Sequence, residues 1–269
     1  MWTAAAREIC QRTGVKCLPI EVHGSVIKNV KSEIFHNNTN FVQPGEIFEF
    51  VFPLVLNNPA TNYCKKDTDE KAFHRHDKHA ISQYCEIYGI NNPTLKCDLF
   101  LKEEEKEIAK NLKNKLGKFI TIEPHSKLEY TPNRKYSFKK WQHIVNLLSN
   151  RISFVQVGIK GRQVLDNVTD IRGMTTFREA AAIIQESEMF ISSEGGLIHA
   201  ANSVGTKAAV VMTGYQEKKM VCYPENINID ISTHGPCGLK IPCKDCEQDV
   251  ENHDPDEIVR IILEELKIG

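Results

Sequence analysis

The sequence predicts an α/β protein whose larger part is a doubly wound parallel sheet. From residue 118 onward, short apolar runs of strand length alternate with amphipathic helical patterns, the mark of βαβ units with helices on both faces of one sheet. The chain has 269 residues, 41% hydrophobic and 26% charged. That is long enough to bury a large core without staples, and it suits one large domain or two ordinary ones.

The chain opens on a predicted helix, with Thr3 as N-cap, Ala4, Ala5, Ala6, Ile9 and Cys10 as its apolar face and Gly14 placed to end it. Strands follow over 15–22 and 46–56, the second containing Pro53. A charged stretch over 65–79 leads to a helical pattern at Ile81, Tyr84, Cys85, Ile87 and Tyr88 that stops at Gly89. Residues 101–116 form an amphipathic helix with Ile108, Leu112 and Leu116 on one stripe. Gly117 then divides the chain into an N-terminal unit, 1–117, and a C-terminal unit, 118–269. In the second unit strands over 118–123, 152–158, 169–172, 189–193 and 207–213 alternate with helices over 138–149, 176–187 and 197–204. The last helix has Asp254 as N-cap, Pro255 in its first turn and an apolar face of Ile258, Ile261, Ile262 and Leu266.

Several function classes are excluded. With 34 Lys+Arg against 35 Asp+Glu and a formal net charge of -1, the chain lacks the basic footprint of a dedicated nucleic-acid binder. No apolar run is long enough to span a membrane, and the N-terminal stretch carries Glu8 and no cleavage signature, so it is not a signal peptide. Nine cysteines, an odd number, read as reduced thiols of a cytoplasmic protein.

In a doubly wound sheet ligands bind beyond the carboxyl ends of the strands. Ser193-Glu194-Gly195-Gly196-Leu197-Ile198-His199 joins a strand to a helix start, where free N–H groups, two glycines and a histidine suit a phosphate. A second loop, Pro124-His125-Ser126-Lys127, leads to a helix bearing Lys139 and Lys140, basic residues where the helix dipole disfavours them and an anionic ligand would explain them. Gly173-Met174-Thr175-Thr176 offers cap hydroxyls, and Thr213-Gly214 follows the last strong strand. No G-x-G-x-x-G follows a strand, which disfavours a nicotinamide oxidoreductase.

Lys139-Lys140-Trp141, Arg172-Gly173-Met174-Thr175-Thr176 with Glu179 to Ile184, and Ser193-Glu194-Gly195-Gly196 through His199 to Val204-Gly205-Thr206 resemble, in order and spacing, the donor half of glycosyltransferase family 9, the heptosyltransferase-like enzymes. The resemblance covers 119–266 and implies the GT-B arrangement of two facing Rossmann-like lobes. It implies transfer of a heptose or hexose, with inversion, from a nucleotide diphosphate sugar to a hydroxyl of a glycan, lipid-linked or protein acceptor. No cofactor for transfer, no nucleic acid and no transmembrane segment are implied, though peripheral membrane contact is compatible with it. Ser126, Lys139, Met174, Thr175, Glu194, Gly195, Gly196, His199 and Thr213 would bind the donor. Glu194 stands where the family has Asp, and Gly195 where it has a small hydroxyl residue.

The family's first strand and the acidic general base after it would precede Met1, because Trp2-Thr3-Ala4-Ala5-Ala6 resembles the helix that follows them. The acceptor-side lobe therefore reads as lacking its first strand. Glu21 and His23 are substitutes for the base, with His74, His76, Asp77 and His79 behind them. The alternatives are a nucleotide-sugar-binding protein without turnover, or an epimerase or hydrolase of nucleotide sugars on the same scaffold. Cys222, Cys237, Cys243 and Cys246 offer four thiols, read either as a structural zinc or iron site or as free thiols. The last helix is expected to be able to pack back on the N-terminal lobe.

Overall fold

The computed structural model describes residues 1–58, 60, 64–66, 72–74, 77–125 and 130–268, with 64–66 and 72–74 described by their backbone. Helix α1 (Trp2–Thr13) ends on Gly14 in the left-handed conformation, as the sequence predicts, but Met1 is its N-cap. Thr3 instead lies buried, its hydroxyl accepting from the Asp98 N–H at 3.0 Å. Strands β1 (Cys17–His23), β2 (Val26–Asn29) and β3 (Phe52–Val55) form a sheet ordered β2-β1-β3. β1 runs antiparallel to β2 and parallel to β3, so this small sheet is mixed rather than doubly wound. The strand expected over 46–56 shrinks to β3 because β1 starts opposite Phe52, leaving 46–51 without a neighbour. Ile47 and Phe50 in that stretch are 97% and 72% exposed. β4 (Cys64–Lys66) and β5 (Ala72–His74) make a separate antiparallel pair, and α2 (Ala80–Glu86) follows with His79 as its N-cap. The core here joins Ala4, Ala5, Ile9, Leu54 and Ile81 to Tyr223, a residue from far along the chain.

The second sheet holds six strands. After α3 (Glu103–Leu116) come β6 (Phe119–Glu123), α4 (Phe138–Leu148), β7 (Ser153–Gln156) and β8 (Thr169–Asp170). Then follow α5 (Phe177–Glu186), β9 (Met189–Ser193), α6 (Gly196–Val204), β10 (Ala208–Met212), α7 (Lys218–Val221) and β11 (Ile227–Asp230). The order is β11-β10-β9-β6-β7-β8 with every pairing parallel. Successive strand residues alternate between two clusters. Phe119, Val155, Phe190 and Val210 face α5 and α6, while Ile120, Ile122, Phe154, Ile191 and Val211 face α4. Chain order reverses between β6 and β9, which makes the C-terminal ends of those two strands the topological switch point.

Two helices end elsewhere than expected. α3 precedes Gly117, yet it packs on α5, and Leu99, Leu101, Leu112 and Leu116 join that face of the six-stranded sheet. The last helix, α9 (Pro255–Leu266), does not return to the N-terminal lobe. Its apolar stripe of Ile258, Val259 and Ile262 is spent on α4 and the face beneath it. α8 (Lys244–Asn252) lies in a stretch to which the sequence pattern assigns no element. Among the described residues no helix is long and apolar enough to cross a membrane.

Candidate functional site

At the end of β9 the chain passes through Glu194 and Gly195 straight into α6. Gly195 is its extended N-cap, and no side chain caps the helix. The first-turn N–H groups, with the positive end of the helix dipole, are therefore left for a ligand. Glu194, 4% exposed, forms an ion pair with Arg134 (Nε to Oε1, 2.6 Å) and accepts from the Gln216 amide. The Arg134 guanidinium lies 4.8 Å from the ring centroids of both Tyr130 and Tyr215. Burial pushes the Glu194 carboxyl up, against the pull of Arg134.

One residue before Arg134, Asn133 fixes the backbone. Its amide donates to the carbonyls of Leu239 and Ile241 at 2.9 and 2.8 Å, and its Oδ1 accepts from Cys243 N–H at 2.9 Å. The Thr213 hydroxyl donates to the Asn133 carbonyl at 2.6 Å. Thr213, expected to bind the donor, is thus spent on shaping the loop that presents Arg134.

His199, in the first turns of α6, shares a 2.7 Å hydrogen bond between its Nδ1 and the Tyr223 hydroxyl, which also lies 3.2 Å from Cys97 Sγ. The His79 ring stands 5.1 Å from that of Tyr223. Burial pushes His199 down to about 3 and His79 down to about 4, so both rings are neutral at neutral pH. At the end of β6, Glu123 faces Gly158 and Gly195. Side chains built on those glycines would come within 3.4 Å of its Oε1 and 3.9 Å of its Oε2. Desolvation pushes this carboxyl up to about 7.

The structure brings together Glu194, Gly195, Gly196 and His199, but not every residue expected beside them. Lys139 lines a cavity of about 540 Å³ with Lys135, Ser137, Phe138, Gln163 and Cys246, a set that does not include Glu194 or His199. Lys140, read as basic for an anion's sake, donates to the carbonyls of Val250 and Glu251 at 2.6 and 2.7 Å and to that of His253, closing the C-terminal end of α8. Met174 is 76% exposed and Thr175 half-buried, while Thr176 makes the capping box with Glu179. Ser126 lies outside the described residues, as do His76 and the His74 side chain. Glu21, half-buried, and His23, exposed, stand at the end of β1, bonded to each other at 3.2 Å.

The cysteines divide. Cys222 packs beside the α5/α6 core, pushed up to about 12 by burial, and is not among the grouped ligand atoms. His234 takes its place, its ligating nitrogen and the sulfurs of Cys243 and Cys246 all lying within 4.8 Å of one another. Cys237 Sγ lies 3.5 Å from that of Cys246, and this contact pulls Cys237 down to about 6. His234, Cys243 and Cys246 form a group that could hold a zinc or iron ion, with the Cys237 thiol beside Cys246.

Sequence reading missed Arg134, Gln216, Tyr223, His234 and Glu123. Two signals were available. His234-x2-Cys237 is a ligand spacing, and Glu123 is a lone acid closing the apolar run Phe119-Ile120-Thr121-Ile122. Tyr223 carried no signal, since its contacts are made across the fold.

No family model and no curated protein sequence matches the chain. Solved structures match its fold. A family 9 glycosyl transferase from Veillonella parvula aligns at 12% identity and TM-score 0.55, over 71% of this chain and 61% of that one. E. coli ADP-heptose lps heptosyltransferase II aligns at 13% and 0.54, over 70% and 62%. The iron-containing dodecameric glycosyltransferase TibC of enterotoxigenic E. coli aligns at 13% and 0.51, over 70% and 53%. The chain thus spans less than two thirds of the length of each. At these identities the likeness is one of fold, the two-lobed Rossmann-like arrangement that the sequence motifs resemble.

Proposed function

We propose that the chain binds a nucleotide diphosphate sugar at the switch point and transfers the sugar, with inversion, to a hydroxyl acceptor. The observation that carries this reading is the uncapped start of α6 beside the Arg134–Glu194 pair, at the crevice where ligands of this sheet type bind. The α6 N–H groups and Arg134 would take the diphosphate. Charge that grows on the leaving diphosphate would then meet donors already fixed in place, the largest single source of electrostatic catalysis. A neutral His199 that accepts the Tyr223 hydroxyl at Nδ1 carries its proton on Nε2, a donor suited to a phosphate oxygen. His79, beside Tyr223, is better placed than Glu21 or His23 for work on a ligand in this crevice.

His234, Cys237, Cys243 and Cys246 would hold a zinc or iron ion as a structural tie between the 232–246 segment and α8. TibC is described as iron-containing, and a related structure holds it in complex with an ADP-heptose. The test is a titration of the full chain with ADP, GDP, UDP and their sugar conjugates, followed by mass spectrometry of each donor with candidate acceptors. Binding of a sugar nucleotide with transfer supports the reading. Binding of none overturns it, and donor breakdown without an acceptor assigns hydrolysis instead.

A further inference from the structure

Glu123 is the last residue of β6, beside the reversal of strand order. It has no side-chain hydrogen bond or ion pair among the described residues. Among the described residues desolvation is the one influence on its carboxyl, and it favours the protonated form. Arg134 of this crevice is engaged by Glu194. Two of its neighbours among the described residues are glycines. Gly158 adopts φ +125°, and at Gly195 a side chain would have reached to 3.9 Å of Oε2. Next to the β6–β9 pairing, the Ser193 hydroxyl is also buried without a partner.

A partly buried carboxyl without donors is costly, and a ligand relieves that cost only by bringing O–H or N–H groups. A diphosphate brings none and adds repulsion. The hydroxyls of a sugar bring several.

We propose that Glu123 reads the sugar of the donor, its two carboxylate oxygens accepting hydroxyls of the ring in the gap left by Gly158 and Gly195. This rests on the nucleotide-sugar reading above and adds the group that separates a sugar nucleotide from a bare nucleotide. Hydrogen bonds to a charged acceptor are worth enough to make the sugar tighten binding by about 10- to 100-fold. Because accepted hydroxyls favour the ionised carboxyl, binding near pH 7 also releases a proton.

The experiment is calorimetric titration of wild type, Glu123→Gln and Glu123→Ala with ADP, GDP and UDP, and with ADP-heptose and the ADP-, GDP- and UDP-hexoses, in two buffers of different ionisation enthalpy. Expected is loss of the sugar's affinity gain and of proton release in Glu123→Ala, with nucleoside diphosphate affinity changed less than about twofold. The isosteric Glu123→Gln keeps the fold, loses proton release and recovers part of the gain. If no nucleotide or sugar nucleotide binds the wild type, the functional reading fails. If they bind and Glu123→Ala keeps the sugar's gain, if it loses nucleoside diphosphate equally, or if no sugar tightens wild-type binding, the functional reading stands and the role of Glu123 is overturned.

Discussion

Replacing Arg134 by Met should destabilise the chain by about 3 kcal/mol at pH 7.5. Breaking a buried pair by removing one partner costs about 3–5 kcal/mol, because the other charge is left in a poor solvent. The lower end applies, since the Arg134 side chain is 17% exposed although that of Glu194 is only 4%. Contacts of the guanidinium with Tyr130 and Tyr215, about 0.5–1 kcal/mol each, are partly kept by a methionine thioether. For a chain of this size the loss lowers Tm by roughly 6–12 °C. The deprived Glu194 holds its proton to higher pH than before and above its unfolded value. The deficit against wild type is therefore smallest in acid and grows as pH rises through the folded pKa, by at most about 1.4 kcal/mol per pH unit. Adding Glu194→Gln removes the unpaired charge and should restore about 2 kcal/mol. Urea denaturation of wild type, the single and the double variant at pH 5.5 and 7.5 measures each quantity. A single variant within about 1 kcal/mol of wild type, or a double variant no better than the single, would refute an ion pair that governs this loop.

Acid should unfold the chain through His79 and His199. Their folded values, about 4 and about 3, lie below the ordinary imidazole value of 6.5, so the unfolded chain binds protons first. Stability is then complete above roughly pH 6.5 and falls below it by up to about 1.4 kcal/mol per pH unit for each ring. His199→Gln should lower the slope between pH 6 and 5 in urea titrations by about 1 kcal/mol per pH unit, and an unchanged slope sinks the idea. Protein purified under reducing conditions should carry stoichiometric zinc or iron by elemental analysis, lost with Cys246→Ser and left unchanged by Cys222→Ser; metal retained by the first variant moves the site elsewhere. Gly214→Ala should cost more than about 2 kcal/mol, because φ is +90° and the new Cβ would meet Ser232 Oγ at 2.6 Å and His234 Cε1 at 3.0 Å. Gly235→Ala, with nothing within 4 Å of its Cβ, is the control that should stay near wild type in thermal melts.

The parallel sheet was legible because its strands are apolar on both faces and its helices on one, a contrast carried by each short stretch alone. Adjacent residues such as Phe119 and Ile120 take opposite faces by the two-residue period of a strand. Gly195-Gly196 with His199 was legible for the same local reason, a strand end running into a helix start. Arg134 was not, because its partner lies sixty residues on and its shelf, Tyr130 and Tyr215, is assembled from two loops. Lys140 misled because the demand it meets, the open carbonyls at the end of α8, belongs to a helix that its few apolar residues did not announce. The mixed N-terminal sheet followed no clear periodicity. Exposed Val26 and Ile27 on β2 give the sequence no inside and outside to alternate between.

Tyr223 makes the two halves of the chain inseparable. Its ring completes the core around α1 and α2, and its hydroxyl reaches His199 and Cys97. Asn202 of α6 meanwhile accepts from the Cys97 N–H at 2.8 Å. A fragment ending at Gly117 would leave a void the size of a tyrosine in its own interior, a defect of about 3–5 kcal/mol, and would strip α3 from the sheet it covers. The halves therefore fold as one cooperative unit.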